Sequence, residues 1–418
     1  MKISKKSKQL MSFFTKNNYI HGVKQSAKTN SIMKELYYDI LEAYNFILSL
    51  KHTKGNYYNL TTKKIISAGQ ITKPENFNSN SFPEIVRKHI DESIIYEICY
   101  TFSLFDRHIK IFFMVEEDNV ELKLETYNRY VDSIVMWIYI LNQFASKQCA
   151  HSLKLYFYFT SLEKHLPNSN IFILDEINVN TAFTTTCPKD SEIVVFRKEE
   201  WFKVFIHETF HNFGLDFSDM NNKSVNACIL NIFRVKSEVN LYESYTEFWA
   251  EIMNALFCSF IALKNKSDIT QFLSNSEFYI NIERTYSFFQ LVKTLKFMGL
   301  QYGDLYSNSE HSKILRDHLY KEKTNVLSYY VIKAILINNY QSFLSWCKIN
   351  NILLLQFKKT PLNQNEFCRF IEKNYKTRNM LESIDNTQIF FNKLVNKKHN
   401  PNIGYLLSNL RMSICELG

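Results

Sequence analysis

Residues 191–214 constrain the fold more than any other stretch, because they place a strand, a helix and a stop signal in one short unit. Residues 191–197 (SEIVVFR) have the continuous apolar character of a buried strand, and residues 198–213 (KEEWFKVFIHETFHNF) repeat apolar side chains at helical spacing. Glu199 and Glu200 suit the positive end of that helix. Gly214 follows it, one of 8 glycines in 418 residues, where a left-handed C-cap is usual. A strand that leads into a capped helix predicts a sheet with helices packed on it.

That helix carries His207, Glu208, Thr209, Phe210 and His211. Two histidines four apart share one helical face, so their imidazoles can converge on one Zn²⁺, and Glu208 stands beside it. Zinc lowers the pKa of a bound water to about 7, and an adjacent carboxylate can take its proton, which is the chemistry of a metallohydrolase. Three fixed positions also arise by chance, so the surroundings have to carry the reading.

A catalytic zinc normally has three protein ligands and a water. In the extended form of the motif the third ligand lies six residues after the second histidine, but Phe217 stands there and cannot bind metal. Asp216 and Asp219 flank it and read as solvated or capping carboxylates. Residues 240–261 (NLYESYTEFWAEIMNALFCSFI) form a long helical pattern on which Glu243, Glu247 and Glu251 recur at four-residue spacing on one face. Like charges so spaced oppose each other, and a facing cation would explain them; a solvated acidic stripe is the alternative.

HETFH followed by Glu247, Phe248, Trp249, Ala250 and Glu251 resembles the gluzincin metallopeptidases, whose second zinc-binding segment commonly reads Glu, two variable residues, a small residue, then an acid. Glu243 fits that pattern less well, since Thr246 takes the small position. The resemblance spans residues 191–253. It implies a zinc cofactor held by His207, His211 and Glu247, with Glu208 as general base and acid and Glu251 orienting a ligand histidine; Glu243 is the fallback ligand. The chain is also similar to uncharacterised proteins of large DNA viruses with comparable RKEEWFKVFIHETFH and ESYTEFWAE stretches, a likeness that brings no activity with it.

The order upstream suits a zincin-like catalytic domain. A hairpin is expected over residues 94–104 and 107–115, a helix over 124–147, and strands over 152–160, 177–186 and 191–197. The expected class is α+β: a mixed twisted sheet, a backing helix and an active-site helix, with a mostly helical C-terminal domain. By analogy the Thr-rich strand at 177–186 would be the edge above the zinc, open to an extended peptide. An oxyanion donor is expected near the zinc, with Tyr245, Tyr279, Arg284, Tyr286 and His311 as candidates.

The expected domains are a basic mobile tail over 1–28, a small N-terminal unit over 29–92 ending in a linker at 73–81, the metallopeptidase domain over 93–298, and a helical C-terminal domain over 299–418 with breaks near Thr360 and His399. With 46% hydrophobic residues the chain can bury a sizeable core. No apolar run is long enough to span a bilayer and no signal peptide core is present, which predicts a cytoplasmic protein. The 8 cysteines show no CxxC pairing and are expected as reduced thiols. A net charge of +9, spread along the chain without a basic recognition helix, does not indicate nucleic-acid binding. Two functions follow: a zinc peptidase acting on peptide or protein substrates, or a zincin-fold structural or interaction protein with a silent site.

Overall fold

The computed structural model describes residues 1–20, 22–398 and 400–418; His399, beside one expected break, lies outside them. The chain opens with α1 (Lys5–Lys16), capped by the Ser4 hydroxyl. This corrects the mobile tail expected at 1–28. Lys5 and Lys8 are exposed, but Leu10, Met11 and Phe14 form a buried stripe, and Ile3 bridges Leu417. Then come α2 (Ala27–Lys54), β1 (Asn59–Lys64) and α3 (Glu84–Ser93). The expected linker at 73–81 is anchored at Pro74 and Phe77, its other residues being half-buried or exposed. Phe77 from this stretch, with Phe82, joins Val86 and Ile90 in covering one face of the sheet, an aromatic anchoring that its Asn and Ser residues conceal.

β2 (Tyr96–Leu104) and β3 (Arg107–Val115) form the expected hairpin, and α4 (Leu124–Phe144) crosses over to β4 (Ser152–Phe159), parallel to β3. Next are α5 (Glu176–Val179), β5 (Ala182–Thr184) and β6 (Asp190–Val195). The strand expected over 177–186 is therefore only three residues long, because Asp175 first caps a helical turn with its side chain on the Ile177 N–H. The six strands lie in the order β1-β2-β3-β4-β6-β5. β3, β4 and β6 are parallel, the rest antiparallel, and both faces of the parallel centre are covered, which accounts for its near-continuous apolar runs.

The remainder is helical: α6 (Trp201–Asn212), α7 (Lys223–Ile232), α8 (Leu241–Ile261), α9 (Ile269–Phe297), α10 (Glu310–Leu319), a π-helical segment over Leu327–Ile332, α11 (Lys333–Asn338), α12 (Tyr340–Asn350), α13 (Pro361–Asn374), α14 (Arg378–Val395) and α15 (Pro401–Ser408). The architecture is α+β with a mixed sheet. One apolar core runs from Leu10 to Leu417 and takes in side chains from α1, α2, α4, α6, α8, α9 and the C-terminal helices. The expected boundaries near 28, 92 and 298 thus separate no independent cores, and β1 belongs to the same sheet as the rest.

Four cysteines are joined, Cys149 to Cys187 and Cys228 to Cys368, where reduced thiols were expected; Cys99, Cys258, Cys347 and Cys415 are free. Partners 38 and 140 residues apart leave no local spacing signal. No helix among the described residues is long and apolar enough to cross a membrane.

Candidate metal centre

α6 is held on three sides. The Trp137 indole N–H of α4 donates to Thr209 Oγ1 at 2.7 Å, Asn212 accepts from the β6 hydroxyl of Ser191 at 2.7 Å, and its amide donates to Thr184 Oγ1 of β5 at 2.9 Å. At the end of the helix Gly214 adopts φ +66°, and its N–H returns to the His211 carbonyl at 3.0 Å. A side chain would strain that left-handed turn. The turn sends the chain back so that the buried Asp216 accepts from His211 Nδ1, while Ser218 N–H and Oγ donate to Asp216 at 3.0 and 2.8 Å. Phe217, at the ligand position of the extended motif, lies instead in an aromatic cluster with Phe357, and Asp219 is a half-exposed partner of Lys359.

α8 runs antiparallel to α6, since Lys203 meets Glu247 while His211 meets Glu243. On α6, Lys203, His207 and His211 share a face at four-residue spacing, opposite the glutamate face of α8. His207 Nε2 lies 3.1 Å from Glu243 Oε2 and 3.2 Å from His211 Nε2, and His211 Nε2 lies 3.4 Å from the same Glu243 oxygen. Three ligand atoms thus converge on one point, and this buried His207, His211, Glu243 group could hold a metal ion.

The geometry gives Glu243 the place that the sequence assigned to Glu247. Glu247 sits one turn deeper, where its Oε1 accepts from Lys203 Nζ at 2.5 Å and its Oε2 faces His207 Nδ1 at 2.9 Å. It orients the histidine from behind, the role expected of Glu251. Glu251 lies a further turn away and pairs with Lys333 Nζ at 2.8 Å and with the Ser287 hydroxyl at 3.1 Å. The Nδ1 atom of each histidine faces a carboxylate, Glu247 or Asp216, which leaves both Nε2 atoms to point at the common centre.

Charge favours a cation there. Glu208, Glu243, Glu247 and Asp216 surround two imidazoles, and Lys203 is the one permanent cation in contact with the cluster among the described residues. Burial alone would lower both histidines, but Glu243 and Glu247 around His207, and Asp216 and Glu243 around His211, outweigh it and raise them above the ordinary imidazole value. Against burial, the histidines hold Glu243, and Lys203 with His207 holds Glu247, well below the carboxylate range. Glu208 differs. Burial pushes its carboxyl up, and it accepts no hydrogen bond among the described residues. The donor set, two imidazole nitrogens and one carboxylate oxygen with both imidazoles oriented from behind, fits a metal ion that takes nitrogen and oxygen ligands.

The group opens into a cleft of about 1000 Å³. One wall is β5, the outer strand of the sheet, and the other is formed by residues 236–240 and 322–325. The Phe196 N–H bonds the Thr181 carbonyl, so by antiparallel alternation the main-chain groups of Ala182 and Thr184 point to the open side. Tyr329, on the π-helical segment, donates to Glu243 Oε2 at 3.0 Å, and Asn325 donates to Glu243 Oε1 at 3.2 Å. None of the five oxyanion candidates read from the sequence lines this cleft; Tyr245, for example, donates to the Leu355 carbonyl in the core. A π turn at a functional site is a recurrent feature, but a six-residue π segment has no distinct sequence pattern, so Tyr329 was not legible.

Comparisons with protein-family models, with curated proteins and with solved structures return no match for this chain.

Proposed function

We propose that the protein is a zinc-dependent peptidase. The observation that carries this reading is the convergence of His207 Nε2, His211 Nε2 and Glu243 Oε2 at the floor of a cleft, beside Glu208, which accepts no hydrogen bond among the described residues. When bound, zinc supplies Lewis-acid polarisation of a carbonyl and a lowered pKa for water. Glu208 takes the proton of the attacking water and returns it to the leaving amine, a task suited to a carboxyl whose pKa burial has raised. The Tyr329 hydroxyl, already directed at the centre, donates to the developing oxyanion. Ala182 and Thr184 hold an extended peptide through main-chain hydrogen bonds. Glu247 and Asp216 keep the imidazoles oriented. A purely structural zinc, the second reading, would need no partnerless acid at the cleft.

The test is zinc content by elemental analysis on the wild type, His207→Ala, Glu243→Ala, Glu247→Ala and Glu208→Gln. One zinc is expected in the wild type and in Glu208→Gln, none in His207→Ala or Glu243→Ala, and a weakened site in Glu247→Ala. On a peptide the wild type cleaves, Glu208→Gln should lose about 10²- to 10⁴-fold in rate. A zinc-replete preparation of the wild type that retains no metal would overturn the proposal.

A further inference from the structure

Behind Glu208 the cleft continues into a pocket of about 30 Å³, with His207 and Glu208 lining both spaces. Its walls include Lys164, Thr181, Lys203, Val204 and Met412. Three of these carry polar atoms that the protein does not fully satisfy. Lys164, 1% exposed, has its ammonium bonded to the Glu200 carboxylate alone among the described residues. Lys203, 2% exposed, has Glu247 and only the Met412 sulfur at 3.9 Å. An ammonium has three donors, so both keep donors to spare. The Thr181 hydroxyl is buried with no hydrogen-bond partner among the described residues. A buried group left so is costly unless something else satisfies it.

We propose that this pocket receives the substrate side chain next to the cleaved bond and selects a short, neutral, oxygen-bearing one, asparagine or serine ahead of aspartate. The inference rests on the peptidase reading above. Size sets the upper limit: about 30 Å³ corresponds to roughly two water-sized positions, enough for an amide or hydroxyl head and too little for a leucine or aromatic side chain. Chemistry sets the preference. An apolar side chain would leave spare donors on two ammonium groups and a hydroxyl unsatisfied, whereas an amide or hydroxyl oxygen can accept from them without adding charge. Each lysine keeps its own glutamate, and Glu208 and Glu247 line the same space. The pocket thus has spare donors but no positive charge left over for a buried carboxylate, which puts a neutral oxygen ahead of a charged one.

The experiment uses the full zinc-loaded chain and four peptide hydroxamates that differ only in the side chain beside the chelating group: aspartate, asparagine, serine and leucine. Their dissociation constants are measured by titration calorimetry. The asparagine and serine compounds should bind more tightly than the aspartate compound and at least about tenfold tighter than the leucine compound. Thr181→Val, which keeps the shape and removes a partnerless hydroxyl, should cut that advantage about threefold with zinc content unchanged. Equal or tighter binding of the leucine compound would overturn the inference and leave the pocket to water, while the peptidase reading stands. Failure of all four compounds to bind the zinc-loaded protein would remove both.

Discussion

The inner and outer ends of the α6–α8 interface both bury glutamates, yet only the inner end is supplied with lysines. At the inner end Lys203 pairs with Glu247, Lys333 with Glu251, and Lys164 with Glu200. At the outer end Glu243 faces two histidines and a tyrosine, and Glu208 faces the cleft. A buried carboxylate needs a counter-charge. Where the chain provides an ammonium the glutamate is structural; where it provides imidazoles directed at a shared point, a metal can complete the site. The same side chain on the same helix face thus has two fates, decided by what lies opposite.

The comparison can be broken most severely at Lys333. It is 1% exposed and also donates to Ser287 Oγ and the Met412 carbonyl at 2.8 and 3.2 Å. Lys333→Met should destabilise the fold by about 1–3 kcal/mol in urea denaturation, because Glu251, whose carboxyl burial raises to about 8, loses its hydrogen-bond partner in the core, while zinc content is unchanged. The double variant with Glu251→Met should recover most of the loss. A single variant within about 1 kcal/mol of the wild type would show that the inner pair is not structural.

Acid tests the same end more gently. Burial raises Glu200, but Lys164, Lys203 and Arg411 together hold it down at about 2. A carboxyl depressed in the folded state contributes stability above its ordinary value of 4.5, and loses it as pH falls towards the folded value. Denaturation midpoints should therefore fall between about pH 4.5 and 2, and Glu200→Gln should flatten that slope. Identical acid profiles for the two proteins would contradict the assignment.

Lys203 links the two ends. It holds Glu247 against His207 Nδ1, away from the point where His207, His211 and Glu243 converge. Lys203→Met should weaken zinc binding by about 10- to 100-fold and alter the cobalt(II) absorption spectrum as Glu247 is released. An unchanged affinity and spectrum would assign Lys203 to packing alone. The smallest effect is expected at the helix stop. Gly214→Ala puts a side chain at φ +66°, where the nearest atoms are at ordinary contact distance, so thermal unfolding should report only the backbone cost of about 1–2 kcal/mol. A loss well beyond that would mean that the turn also positions Asp216 against His211.

Much of the fold was legible because its elements carry their own periodicity. The 94–115 hairpin, the helix after Leu124, the strand at 152–160, and the helices bearing the histidines and glutamates all lie within a few residues of their expected bounds. β1 was missed because NLTTKK lies on an exposed edge and lacks apolar alternation. The N-terminal helix was read as a tail because its four lysines equal its buried residues in number and mask the stripe that anchors it. At the candidate site, His207, Glu208 and His211 are neighbours on one helix, so spacing alone brought them together. The third ligand was not so determined. Glu243, Glu247 and Glu251 are equivalent by periodicity, and the small-residue pattern that favoured Glu247 says nothing of which turn of α8 lies opposite His207.

By itself the sequence determined which residues could bind a metal, the helix faces they occupy, and the left-handed stop at Gly214, because each follows from spacing within a single segment. The tertiary structure alone decided that Glu243 meets the two Nε2 atoms, that Glu247 is held back by Lys203, that Tyr329 reaches the cleft, and that Cys149 meets Cys187. Those outcomes depend on the register and direction of elements distant in the chain. That register is set by the packing of whole apolar faces, which no local pattern records.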